Sequence, residues 1–104
     1  MTGRETGFPG SSAASPGRRI RKDFVILSFS SYEQAMEMED FCRANGISGR
    51  LIPLPPKVHA GCGLCWRMDP EGHEAAVRAA VDRIRDAGLI FEGPHIVSMW
   101  SMEN

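Results

Sequence analysis

Three cysteines carry the clearest chemical signal in this 104-residue sequence. Cys62 lies between Gly61 and Gly63, where the backbone gives little cover and the sulfur is approachable. The thiolate is the nucleophilic form of cysteine, so a positive charge nearby favours reactivity. Lys57 and His59 are close enough in sequence to place such a charge beside the sulfur. The segment therefore predicts a reactive thiol at Cys62, stabilised as the anion by Lys57, His59 and Gly63.

Three other interpretations of this segment stay open. Gly61 and Gly63 could merely permit a tight turn that has Cys62, a small hydrophobic residue, at its edge. Cys62 and Cys65 form a Cys-x-x-Cys pair, but an extended segment separates their α-carbons by ~10 Å. A disulfide requires less than ~7 Å, so the pair closes only if Gly63 bends the chain. His59, Cys62 and Cys65 also offer three ligands for zinc or iron, although a fourth ligand is missing.

The other candidate residues carry a weaker signal. Cys42 falls on the apolar face of a predicted helix and is expected to be a buried structural thiol. His73 and His95 are expected at the surface. The sequence contains no Ser/His/Asp arrangement, paired-carboxylate motif, phosphate-binding loop or dinucleotide fingerprint. We therefore predict no cofactor and no bound metal in the favoured interpretation.

Two predicted strands flank the loop that carries Cys62. The segment 49–54 is β-like, but Pro53 cannot join a hydrogen-bond ladder on both sides and places this strand at a sheet edge. The segment 64–68 alternates in polarity, with Trp66 on one face and Cys65 and Arg67 on the other. We expect the side chains of Cys65 and Arg67 to be exposed on the face of the sheet that the helices do not cover.

The remaining elements complete a familiar order. Ser30 and Glu33 have the spacing of a capping box, and Asp69 and Pro70 predict the start of a second helix. A turn at 92–94 precedes the last strand. In chain order the predicted strands and helices cover 24–29, 31–45, 49–54, 64–68, 69–88 and 96–100. This β-α-β-β-α-β order predicts an α+β, ferredoxin-like two-layer sandwich, with two helices on one face of an antiparallel sheet.

Length and composition indicate the bounds of the domain, the classes of partner and the localisation. Residues 1–22 are rich in Gly, Pro, Ser and Thr and are expected to be a disordered tail, with a single domain over 23–101. A net charge of -1 disfavours nucleic acid, and the lack of a long apolar run disfavours a membrane partner. Without a signal-peptide core, we expect a cytoplasmic protein. The small core makes a homodimer through the open sheet face a further expectation.

Several motifs together resemble the small bacterial proteins grouped as selenium/sulfur carrier-like. The resemblance covers about residues 24–100. Its most specific parts are the segment Arg50-Leu51-Ile52-Pro53 and the Cys62-Gly63 pair, together with the spacing in sequence between this pair and Arg67. The other matching stretches are Ser-Tyr-Glu-Gln-Ala-Met from residue 31, Asn-Gly-Ile from residue 45, and Arg67-Met68-Asp69-Pro70.

This resemblance implies a carrier and not a catalyst with a substrate pocket of its own. Cys62 would hold sulfur or selenium as a persulfide or perselenide, loaded by a cysteine desulfurase-type donor and passed to an acceptor protein. The family position that matches Cys65 is often not cysteine, so Cys65 lies outside the shared chemistry. Two alternatives stay open: a regulatory module that binds a protein partner through the open face around Arg67, and a metal module built on Cys62 and Cys65.

Overall fold

The computed structural model describes residues 18–103 of the chain, with side chains described over 20–101. Its elements are β1 (Arg18–Ser28), α1 (Tyr32–Ala44), β2 (Arg50–Pro53), β3 (Leu64–Met68), α2 (Glu74–Asp86) and β4 (Glu92–Glu103). The four strands form one sheet in the order β2-β3-β1-β4, and every neighbouring pair is antiparallel. The predicted ferredoxin-like α+β sandwich is confirmed. Neither helix in this part of the chain is long and apolar enough to cross a membrane.

Strands β1 and β4 are both longer than the sequence indicated. β1 begins at Arg18, so residues 18–22, predicted as tail, belong to the sheet, while residues 1–17 lie outside the described residues. β4 runs through the predicted turn at 92–94, because an edge strand tolerates the missing N–H of Pro94. The two strands pair from Arg18 opposite Glu103 to Ser28 opposite Glu92. This partnership is between distant segments, which local composition does not reveal.

Helix α1 begins one residue later than its predicted capping box. Ser31 is the N-cap, and its hydroxyl accepts a hydrogen bond from the backbone N–H of Gln34 at 3.3 Å. The side-chain oxygen of Gln34 accepts from the Ser30 N–H at 3.0 Å. Gln34 therefore bonds to both Ser30 and Ser31 without closing a reciprocal capping box on the N-cap residue, and Glu33 takes no part in these cap interactions.

Helix α2 begins at Glu74, later than the start predicted at Asp69. Asp69 closes a turn instead, because its carboxylate accepts from the Glu71 N–H at 3.0 Å. Lys22 of β1 holds the same carboxylate at 2.7 Å. Gly72 then has a φ of 75°, which is left-handed and cannot continue a right-handed helix. The turn and the contact with β1 override a local signal that would otherwise start the helix.

Both faces of the sheet carry apolar clusters. The helix-side cluster packs β1 and β3 against the helices and contains Val25, Leu27, Phe29, Ala35, Met38, Cys42, Trp66, Met68, Ala80, Val81 and Ile84. The helix-free face has a second, smaller cluster of Phe24, Ile26, Cys65 and Val97. Leu54 and Val58 of the β2–β3 loop pack against this second cluster. The face predicted to be open is therefore partly covered by the protein's own loop.

The backbone before β2 passes so close to Trp66 that only glycine fits at position 49. Gly49 has a φ of 155°, and a Cβ there would lie 2.6 Å from Trp66 Nε1 and 2.8 Å from the backbone oxygen of Arg67. Trp66 is buried, so its ring cannot swing into solvent. We expect Gly49→Ala to lower the free energy of unfolding by about 2 to 3 kcal/mol, measured by urea denaturation.

Gly46→Ala is the matched control for this prediction. Gly46 also has a left-handed φ, of 66°, but nothing lies within 4 Å of a Cβ built on it. Its substitution carries the backbone cost alone, about 1 kcal/mol. Equal losses for Gly49→Ala and Gly46→Ala would show that the contact with Trp66 does not matter.

Candidate functional site

The β2–β3 loop holds Cys62 at one end of the sheet. The backbone N–H of Leu54 donates to the oxygen of Gly63 at 3.0 Å, which extends the pairing of β2 with β3 and closes the loop between them. Gly61 lies against the connection from β1 to α1, since a Cβ at this position would be 2.7 Å from the backbone oxygen of Ser30. Because a larger residue would collide with backbone, Gly61 fixes the loop beside the start of α1 and so fixes where Cys62 stands.

The side chain of Cys62 is half-buried and packs against the helix-side cluster. Its Sγ donates to the backbone oxygen of Leu64 at 3.4 Å and accepts from the backbone N–H of Leu64 at 3.4 Å. Gly63 makes this wrapping possible, because its φ of 75° turns the chain around the sulfur. The residue thus keeps some accessible surface, and its sulfur has an amide donor, which is a favourable partner for negative charge.

Lys57 and His59 are exposed on the same loop as Cys62. Within the described part of the chain, neither makes a hydrogen bond or an ion pair with the sulfur, so their stabilising role stays a prediction. The structure brings a different feature nearby. Gly61 contacts Ser30, the residue before the N-cap Ser31, so the loop lies beside the helix end that carries partial positive charge.

Cys65 lies on the face of β3 opposite to Trp66, as predicted, but its side chain is not exposed to solvent. Its exposed fraction is 0%, because it belongs to the cluster on the helix-free face. Burial raises the pKa of the Cys65 thiol to about 11, with a smaller raising effect from Cys62 and a lowering effect from Arg67. Arg67 is half-buried, and its guanidinium lies 4.6 Å from the centre of the Phe24 ring. Neither residue stands free on an open surface.

The two alternatives that use Cys62 together with Cys65 are not assembled in the structure. Cys62 packs against the helix-side cluster and Cys65 belongs to the cluster on the other face, and both are free thiols. Within the residues that the structure describes, no group of three or more His, Cys, Asp or Glu side chains could hold a metal ion. The structure therefore does not bring together His59, Cys62 and Cys65.

The remaining cysteine and histidines belong to other elements of the fold. Cys42 is fully buried, as predicted, and burial raises its pKa to about 11 against a lowering effect of Arg83. His95 lies within β4 and not before it, half-buried, with its Nε2 3.1 Å from the hydroxyl of Ser28. His73 is the exposed N-cap residue of α2.

A family model described as "Putative Se/S carrier protein-like" matches residues 24–90 of the chain. The match runs from β1 to beyond α2 and includes Cys62 with its whole loop. No curated protein and no solved structure matches the chain.

Proposed function

This chain belongs to the Se/S carrier-like family, and we propose that it carries sulfur or selenium on Cys62 as a persulfide or perselenide. The observation that supports Cys62 is its exposure. Of the three cysteines in the chain, Cys42 and Cys65 are fully buried, and Cys62 alone retains accessible surface. A carrier requires one sulfur that a partner protein can reach, and partial exposure supports Cys62 as that sulfur.

The proposed loading step is a thiol exchange. The Cys62 thiolate attacks the outer sulfur of a persulfide on a cysteine desulfurase-type donor. A sulfur–sulfur bond forms at Cys62, the sulfur–sulfur bond of the donor breaks, and the donor cysteine leaves as a thiolate. The exchange involves no net oxidation, so it requires no cofactor. Delivery repeats the step, with a nucleophile of an acceptor protein attacking the outer sulfur on Cys62.

The surroundings of Cys62 suit transfer between proteins better than a reaction in a pocket. Two large grooves lie elsewhere on the described part of the chain, and neither is lined by Cys62, Lys57 or His59. We infer that a reacting partner approaches the sulfur from solvent. We propose that Lys57 and His59, exposed on the same loop, balance the charge of the persulfide anion when a partner docks there.

The proposal is tested by loading the reduced full-length chain. The chain is incubated with a cysteine desulfurase and cysteine, and its intact mass is measured before and after treatment with a reductant. We expect a gain of one sulfur atom per chain that the reductant removes, and peptide mapping that places it on Cys62. Selenocysteine in place of cysteine tests for selenium in the same way. A chain that gains no chalcogen, or gains it at several residues, would contradict the proposal.

A further inference from the structure

The two edge strands of the sheet differ in how they are protected. β2 is four residues long and contains both Arg50 and Pro53, which hinder pairing with another strand. β4 is twelve residues long, and Pro94 hinders pairing only near its start. From 95 to 102 this strand contains no Asp, Glu, Lys or Arg. The guanidinium of Arg21 of β1 donates to the backbone oxygen of Ser98 at 3.2 Å. A long edge strand without charged side chains of its own is a template for a further strand.

An apolar groove lies beside this edge, between α2 and the strands β1 and β4. It has a volume of about 770 Å³. Its apolar lining includes Val25, Val77, Val81, Pro94 and Ile96, and charged residues of β1, Arg21, Lys22 and Asp23, also line it. Ile96 is 66% exposed, which is a large apolar area for a residue on the helix side of the sheet. The edge of β4 and the groove therefore form one continuous surface that is apolar in the middle.

The flank of α2 that borders the groove carries charges of alternating sign. In order they are Glu74, Arg78, Asp82 and Arg85. Their spacing of four, four and three residues keeps them on one side of the helix. If this helix meets an antiparallel copy of itself about a two-fold axis at Ala80, Arg78 faces the partner's Asp82. On the same axis Glu74 is level with residue 86 of the partner, so the partner's Arg85 lies one residue, about 1.5 Å along the helix, out of register with it. The flank is complementary to itself at the Arg78–Asp82 pair.

We propose that a second copy of this chain occupies this surface. The two β4 strands pair antiparallel about a two-fold axis normal to the sheet, which gives a continuous sheet of eight strands with the α2 helices antiparallel on one face. The strands would be about 4.8 Å apart, and the two grooves would face each other between the helices. The helix-free face is a poorer choice, since its cluster of Phe24, Ile26, Cys65 and Val97 is already buried.

This dimer leaves the loop of Cys62 untouched. β2 forms the edge of the sheet opposite to β4, so the two β2–β3 loops lie at the far ends of the eight-stranded sheet. Each copy keeps its own accessible sulfur. The inference therefore stands or falls independently of the proposed carrier function.

The test is the oligomeric state of the full-length chain by sedimentation equilibrium over a dilution series. We expect the wild type to dimerise. Ile96→Lys should raise the dissociation constant about tenfold or more, because it places a charge in the groove that the second copy would cover. Tyr32→Lys is the control, since Tyr32 is 60% exposed on α1, which contacts β2 and β3 and lies far from β4. It should leave the dissociation constant unchanged.

A charge exchange tests the pairing of the helices separately. Arg78→Glu should weaken the dimer, because it places a carboxylate opposite the partner's Asp82. Combining it with Asp82→Arg should restore the dimer, because the pair across the axis is then present again with its two charges exchanged. A wild-type monomer throughout the series would overturn the proposal, and would leave the groove to another protein or to residues 1–17. A dimer whose dissociation constant is changed by neither Ile96→Lys nor Arg78→Glu would also overturn the proposal.

Discussion

Replacement of Cys62 by serine is expected to abolish sulfur loading completely. A serine oxygen is close in size to the thiol and can still donate to the backbone oxygen of Leu64, which the Cys62 sulfur contacts at 3.4 Å. The loop should therefore keep its shape, while the atom that attacks the donor persulfide is lost. Intact mass after incubation with a desulfurase and cysteine should show one added sulfur on the wild type and none on Cys62→Ser.

Cys65→Ala supplies the matched control. Cys65 is fully buried in the cluster on the helix-free face, and alanine is a small apolar residue that this cluster can accept. The variant should gain as much sulfur as the wild type. If Cys62→Ser still accepts sulfur and Cys65→Ala does not, the carrier site is on the other cysteine and our assignment is wrong. If both variants accept it, a thiol-specific carrier site is absent.

The order of the elements was predictable because each is specified by a local pattern. The apolar run at 24–29 marks a strand buried on both faces, and the structure buries it between two clusters. The stop of α1 was equally local. Gly46 takes a left-handed φ of 66°, and the Ile47 N–H donates to the oxygen of Cys42 at 2.9 Å, which is a common way for a helix to end at a glycine.

The burial of Cys65 was not predictable in the same way. Alternation in β3 correctly put Cys65 and Arg67 on one face, because parity is a property of the strand itself. Whether that face is covered depends on Leu54 and Val58, which lie in a loop without periodicity and fold back over the sheet. Such a contact is tertiary, so a pattern of strand residues does not reveal it.

The neighbours of Cys62 illustrate the same limit. Proximity in sequence suggested Lys57 and His59, and their role beside the sulfur stays a prediction. The neighbour that the structure shows for Gly61, the residue before Cys62, is the connection between β1 and α1, through the backbone of Ser30. The two segments are far apart in the chain. The glycine at position 61 was a visible signal of close approach, but not of what approaches it.

Alkylation of the folded protein provides the second large effect. Burial raises the pKa of Cys42 and that of Cys65 from the ordinary 9.0 to about 11. Two pKa units reduce the thiolate fraction about 100-fold at neutral pH, and full burial also blocks the reagent. We therefore expect iodoacetamide to modify Cys62 at least about 100 times faster than the other two cysteines, measured by mass spectrometry of the peptides.

The dependence on pH and unfolding identifies the cause of this selectivity. Because the pKa values of Cys42 and Cys65 are raised, their thiolate fractions increase tenfold per pH unit up to about pH 11, so their slow labelling should accelerate with pH. In urea all three cysteines should react at similar rates, since unfolding removes burial. Rapid labelling of Cys65 in the native protein would mean that the loop over the helix-free face opens readily. The buried thiol would then be available to partners, and exposure would no longer single out Cys62.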